Sequence, residues 1–282
     1  MYRLLLFFLL SLCFTPPAMA QDSYRVTKVS EGVYAALATP GGSATSNAMI
    51  VDLGEQVIIC GAHFSRKAIN DLTAAASEIS PNPIRAFVLA HHHPGYPLID
   101  FDFPARKDVA MSIETRLIMR QEERELTNPL IFFQNGMTFE GSKRTLVLSN
   151  IGPAHSKGDL VAFLPHSGVL FASDLLYFGN VGFLGAGSLR DWPLVVEGLE
   201  KLNATQIIPG FGPIGTQTDL QQFKTYLHAF VQEIQKHLDI GDSLETTLKS
   251  FNLPKYLNLR GYEEFMPGNI ERAYMQFQKE SD

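Results

Sequence analysis

The chain has 282 residues, and its 23 lysines and arginines against 29 aspartates and glutamates leave a formal charge of −6. A composition that is 45% hydrophobic and 18% charged, with two cysteines, excludes a disordered tail, a collagen-like repeat, a coiled coil and a disulfide scaffold. The acidic balance argues against a nucleic-acid partner, which needs a basic face, while 20 Phe and 9 Tyr can fill a sizeable core.

The first element is a leader. Arg3 precedes a greasy run over residues 4–14, Pro16 and Pro17 break it, and Ala18-Met19-Ala20 offers small residues to signal peptidase. Eleven residues fall short of the ~20 that a bilayer core requires, so the pattern predicts a cleaved signal over 1–20 rather than an anchor. Processing is expected near Ala20/Gln21, giving an exported, periplasmic or secreted chain with no membrane span. Cys60 is then the one cysteine left, so an intrachain disulfide is impossible, and its place in an apolar run predicts a buried, inert thiol.

Short β-rich runs follow at 24–29, 33–38, 47–52 and 56–60, spaced as an antiparallel meander. Ser65 caps a predicted helix through Ile79, closed by Pro81 and Pro83, and 84–90 reads as a fully buried strand. A helix is predicted over 113–125, with strands over 144–148, 160–164 and 169–172. Ser188 and Asp191 have capping-box spacing ahead of an amphipathic stripe through Trp192, Val196 and Leu199. A short strand over 207–209 precedes a second helix, opened by Thr218 and Gln221, and a helical C-terminal region from about 218. No internal repeat is visible. The layout is α/β (α+β): two mixed sheets packed face to face with helices outside.

Four loops or strand ends carry the chemistry. After the buried strand comes His91-His92-His93-Pro94-Gly95-Tyr96; in extended backbone His91 and His93 share one side and His92 turns away. Two imidazoles at the mouth of a sheet are a common start to a zinc site. The turn-rich segment from Gly152 to Asp159 offers His155, and Phe171-Ala172-Ser173-Asp174 puts an acid at the end of a greasy strand. The fourth place, Pro209-Gly210-Phe211-Gly212-Pro213, has no metal-binding side chain.

These four motifs, in this order between about Val26 and Thr216, resemble those of the metallo-β-lactamase superfamily. The resemblance implies a single αββα domain over 21–282 with a metal site along one edge. It implies His91, His93 and His155 as ligands of a first metal, with Asp174 bridging to a second. The family's motif Asp, its last motif His and its fourth-loop His are replaced here by Gly95, Tyr96 and Phe211. Gly and Phe cannot ligate, and a phenol with a pKa near 10 is a poor zinc ligand, so the family's second-metal positions are lost and one zinc is expected. Asp174 then serves as a fourth ligand or accepts the proton of the metal-bound water, and Tyr96 hydrogen-bonds an oxyanion.

The remaining histidines, His63, His166, His228 and His237, show no partner pattern and read as surface or satisfied core residues, His63 with a possible supporting place near the site. Tyr177, Phe178 and Phe183 line an apolar pocket or belong to the core. The leading expectation is a zinc hydrolase using metal-bound hydroxide on an ester, thioester, amide or lactam bond of a small-molecule substrate. One alternative is a non-haem iron, persulfide dioxygenase-like enzyme built on His91, His155 and Asp174. Another is a non-catalytic binding protein on the same scaffold. A nuclease is disfavoured by the acidic charge and the lost two-metal clamp.

Overall fold

The computed structural model describes residues 22–95, 99 and 101–281, so the leader and Tyr96 lie outside the described residues. The chain opens with an antiparallel meander: β1 (Tyr24–Ser30), β2 (Val33–Ala38), β3 (Ala48–Asp52) and β4 (Val57–Gly61). Helix α1 (Arg66–Ile79) crosses to β5 (Ile84–Leu89), which lies parallel to β4. Two further parallel strands, β6 (Asp108–Ser112) and β7 (Leu130–Phe133), flank α2 (Ile113–Gln121) and complete a seven-stranded sheet.

The second sheet holds β8 (Gly136–Glu140), β9 (Thr145–Asn150), β10 (Leu160–Leu164) and β11 (Val169–Tyr177), antiparallel in turn. Helix α3 (Trp192–Glu200) then leads to β12 (Gln206–Phe211), parallel to β11. Helices α4 (Gln217–Asp239), α5 (Leu244–Ser250) and α6 (Tyr262–Ser281) follow.

Two mixed sheets face each other with helices on both outer sides, the αββα sandwich that the sequence layout implies. Between the sheets, Val33, Ile58, Cys60 and Val88 meet Leu148, Leu160, Phe171 and Ile208. The opposite face of the first sheet sends Ile59 and Phe87 against Phe64 and Leu72. The outer face of the second sends Leu170 and Leu175 against Trp192, Phe223, Phe230 and Phe277. A strand covered on both faces has no polar side to show, which is why β4 and β11 are buried at every residue. Cys60 is a free thiol fully buried between the sheets, and burial raises its pKa. Among the described residues no helix is long and apolar enough to cross a membrane.

Several boundaries differ from the sequence expectation. Strands β6, β7 and β8 lie where none was predicted. The helix predicted over 113–125 ends at Gln121, and α3 starts only at Trp192, with Ser188 hydrogen-bonded to Asp191 in the turn ahead of it instead of capping the helix. The cap of α4 is Thr216 paired with Asp219, not Thr218 with Gln221. Most consequentially, the strand predicted to stop at Ala172 continues to Tyr177, so Asp174 stands inside β11 and not after it.

Candidate metal centre

Strands β4 and β5 run parallel, so the segments that follow them open at the same edge of the sandwich. One delivers His63 and the other His91, His92 and His93. The histidine segment is anchored at its start: Ala90 donates its N–H to Gly61 O at 2.8 Å, and Leu160 donates to Ala90 O at 2.8 Å. His91 and His93 turn toward the site. His92 turns away, its Nε2 2.7 Å from Glu122 Oε2, and the same carboxylate accepts the Gly95 N–H. Glu122 therefore fastens the loop to the end of α2.

His155 comes from the β9–β10 loop, whose shape is set by one carboxylate. Buried Asp159 accepts the backbone N–H groups of Ala154 at 3.1 Å, His155 at 2.8 Å and Ser156 at 2.9 Å. Burial pushes the Asp159 carboxyl up to about 7, against the opposing pull of Ser156 and these N–H groups. On its other side the His155 carbonyl accepts from Ala186 at 2.7 Å and Gly187 at 3.0 Å. Tyr177 donates its hydroxyl to Phe183 O at 2.8 Å and lies 3.4 Å from His155 Nδ1. With its proton committed, that hydroxyl can only accept from Nδ1, which assigns the His155 proton there and leaves a lone pair on Nε2.

Asp174 reaches the site because β11 is irregular. Ser173 has φ +48°, a left-handed conformation that L-residues rarely adopt, and the pairing with β12 shifts on both sides of it. Before the break, Leu170 and Ala172 face the helices while Phe171 faces the other sheet; after it, consecutive Leu175 and Leu176 both face the helices. Such a break re-aims a side chain, and here it turns a carboxylate out of an otherwise apolar strand. Gly210 on β12 makes the room: a Cβ there would collide with Asp174 Oδ1 and lie 2.7 Å from the Asp174 backbone nitrogen.

The groups converge. His93 Nε2 and His155 Nε2 are 2.6 Å apart, and Asp174 Oδ2 lies 3.7 Å from His91 Nε2 and 3.8 Å from His155 Nε2. His91, His93, His155 and Asp174 are each at most 5% exposed. Burial holds His91 and His155 well below the usual imidazole range and pushes His93 down to about 4, so the rings are neutral donors. Burial would raise the Asp174 carboxyl, but the facing His63, by its charge and its contact with Oδ2, more than offsets it and holds it far below the usual range, as an anion.

His91 Nε2 and Asp174 Oδ1 are buried with no hydrogen-bond partner among the described residues. Such groups are costly to leave unpaired, by about 1–3 kcal/mol each, and a divalent cation among them would satisfy both. Neutral imidazoles with one carboxylate are a donor set that suits zinc and related transition metals.

One member of the cluster reads from sequence as a surface or core histidine with at most a supporting place. His63 Nε2 is 2.9 Å from Asp174 Oδ2, with Thr45 Oγ1 2.8 Å from its other ring nitrogen. No local pattern marks this histidine; the single cue is that it stands two residues beyond a buried strand. His166 and His228 are exposed, and His237 is buried with its Nδ1 2.6 Å from Asp242 Oδ2. Tyr177 and Phe178 are core residues, whereas half-buried Phe183 sits at the site, its ring 5.8 Å from that of His93. Phe211 stacks on Tyr177 at 5.2 Å and meets His63 edge-on at 6.2 Å. A further residue with no signal in sequence is Asn47, whose side chain donates to Pro209 O at 2.9 Å and Gly212 O at 3.0 Å, tying the two sheets together beside Phe211.

No family model matches the chain. It is 21% identical over 245 residues to the type 2 metallo-beta-lactamase of Bacteroides fragilis, covering 82% of this chain and 98% of that protein. Among solved structures, a metallo-beta-lactamase from Pontibacter korlensis aligns with a TM-score of 0.60 at 21% identity, over 73% of this chain and 99% of that one. TMB-1, a structure described for substrate and inhibitor binding, aligns with a TM-score of 0.58 at 19% identity, over 73% and 98% of the two chains.

Proposed function

Since this chain belongs to the metallo-β-lactamase superfamily, we propose that it is a zinc-dependent hydrolase of a small-molecule ester, thioester, amide or lactam, with His91, His93 and His155 as metal ligands. The observation that carries this reading is the convergence of three buried, neutral imidazoles on one another, two of them within 3.8 Å of the buried Asp174 carboxylate. A zinc ion bound there would polarise a substrate carbonyl and lower the pKa of a water ligand from 15.7 to ~7.

The chain's own residues do the rest. Asp174, buried as an anion beside these imidazoles, would be a fourth ligand to the metal or the group that accepts a proton from water. Tyr177 and Asp159 keep His155 in one tautomer and one orientation. Phe183 lies against His93 and His155 and helps exclude bulk water. Tyr96, next to the described part of the histidine loop, is assigned in this proposal to hold the developing oxyanion. The leader over residues 1–20 directs the chain out of the cytoplasm in the same proposal.

The test is elemental analysis of the untagged mature chain, purified without chelator, alongside His155→Ala. Zinc in the parent, lost from the variant together with hydrolysis across an ester, thioester and lactam panel, is the expected result. Iron in place of zinc, with oxygen uptake on a persulfide, would replace this reading with the oxygenase. A parent that binds no metal would sink both.

A further inference from the structure

The sequence motifs provide ligands for one ion, because Gly95, Tyr96 and Phe211 stand where the family's second-metal ligands would be. The structure brings in a donor from outside those motifs. We propose that His63 and the Asp174 carboxylate form a second cation site, in which the β4–α1 loop supplies the imidazole missing from the end of β12 and Asp174 is shared by the two ions. The proposal rests on the zinc-centre reading above and extends it.

Four observations carry it. First, a ring nitrogen of His63, one of His91 and a carboxylate oxygen of Asp174 lie within 4.8 Å of one another, a second ligand group that shares His91 with the group of His91, His93 and His155. Once His91 serves the first ion, His63 and Asp174 remain for the second. Second, the same Asp174 oxygen is 2.9 Å from His63 Nε2 and 3.7–3.8 Å from His91 and His155, so it stands between the two imidazole groups. Its other oxygen is buried without a hydrogen-bond partner among the described residues.

Third, Thr45 Oγ1 holds the Nδ1 edge of His63 at 2.8 Å, which fixes the ring with Nε2 toward the carboxylate. A polar group on the outer ring nitrogen is the usual support of a metal-binding histidine. Fourth, the His63 ring lies edge-on to Phe211 at 6.2 Å, so the two side chains share one corner of the site. An imidazole after β4 thus stands beside the ring that ends β12. The His63 side chain is 18% exposed against 2% for His91, which leaves the second position open to water and substrate.

With two protein ligands in place of three imidazoles, this position should bind its ion more weakly than the first. The experiment is equilibrium dialysis of the metal-free mature chain against graded zinc, with cobalt(II) electron paramagnetic resonance as a second readout. Parent protein should take up two ions per chain, and the second cobalt should quench the signal of the first through the shared carboxylate. His63→Ala and His63→Gln should each keep one tight ion and lose the second, with thermal melts confirming that they fold.

A parent that binds a single zinc overturns the second site. So does a His63 variant that still binds two ions, or one that weakens a single ion by the ~10–100-fold expected from loss of an outer support. In those outcomes the first ion survives and the hydrolase reading stands. Absence of any ion from the parent would remove both.

Discussion

A single carboxylate can decide where an imidazole sits. Asp159 gathers three backbone N–H groups around one buried side chain, and the His155 N–H is among them. Replacing it with Asn keeps the shape but turns one acceptor into an NH2 that faces donors. Asp159→Asn is therefore expected to lose about 1–3 kcal/mol of stability to unpaired buried groups, and ~10–100-fold in affinity for the first metal. Urea denaturation of the metal-free protein and zinc titration would read the two effects separately; wild-type values in both would show that the loop holds itself. Ser173 and Gly210 act at the same scale. One provides the backbone twist and the other the space that let the Asp174 carboxylate leave β11 toward the site.

Whole elements hold these residues in place from behind. Trp192 on α3 lies 5.5 Å from the His155 ring and donates its indole N–H to Leu175 O at 3.1 Å. Phe223 on α4 backs Trp192 at 6.1 Å and Tyr177 at 6.0 Å. The position of α4 is thus felt at the His155 ring through two layers of aromatic rings. Its start is a capping box in which Asp219 accepts the Thr216 N–H at 2.8 Å and Thr216 Oγ1 caps the first turn. Thr216→Ala should lower stability by ~0.5–2 kcal/mol while leaving zinc stoichiometry unchanged, since the inner turns of the helix carry Phe223. A loss of zinc in that variant would mean the packing behind the site is less rigid than the buried rings indicate.

At the scale of the molecule, an acidic chain depends on how its carboxylates are engaged. Burial raises the Asp52 carboxyl, but hydrogen bonds from Gly54 N, Asn82 and Ser80 outweigh it, and the net shift is downward. These bonds tie the β3–β4 turn to the segment that leaves α1. A carboxyl whose pKa is lower folded than unfolded contributes stability above the unfolded value of about 3.9, and that contribution is lost as pH falls through the folded value. Asp71 shifts the same way, with burial opposed and outweighed by Lys67 and Ser23. Acid denaturation of the metal-free chain should therefore steepen below about pH 4, and Asp52→Asn should flatten that limb while lowering stability at neutral pH. An unchanged acid limb would show that the Asp52 bonds persist in the unfolded chain.

Periodicity and local chemistry in the sequence determined the layered architecture, the antiparallel meander and the Ser65 cap. They also singled out His91, His93, His155 and Asp174, which the fold brings together, because strand alternation and short-range motifs are properties of neighbouring residues. Edge and junction strands escaped this reading. β6 begins at Asp108, ion-paired to Arg85 at 2.6 Å, and ends at Ser112, which caps α2, so polar residues at both ends hide a strand. β7 and β8 are edge strands, largely half-buried or exposed: β7 is an apolar run of only four residues, and β8 shows no clean apolar pattern. Only the tertiary structure decided that Asp174 turns out of a continuous strand and that His63 meets it. Both depend on where distant segments come to rest: the left-handed Ser173 is permitted by the space beside Gly210, and the His63–Asp174 pair joins the edges of two sheets. A contact between far-apart residues has no local period for the sequence to display.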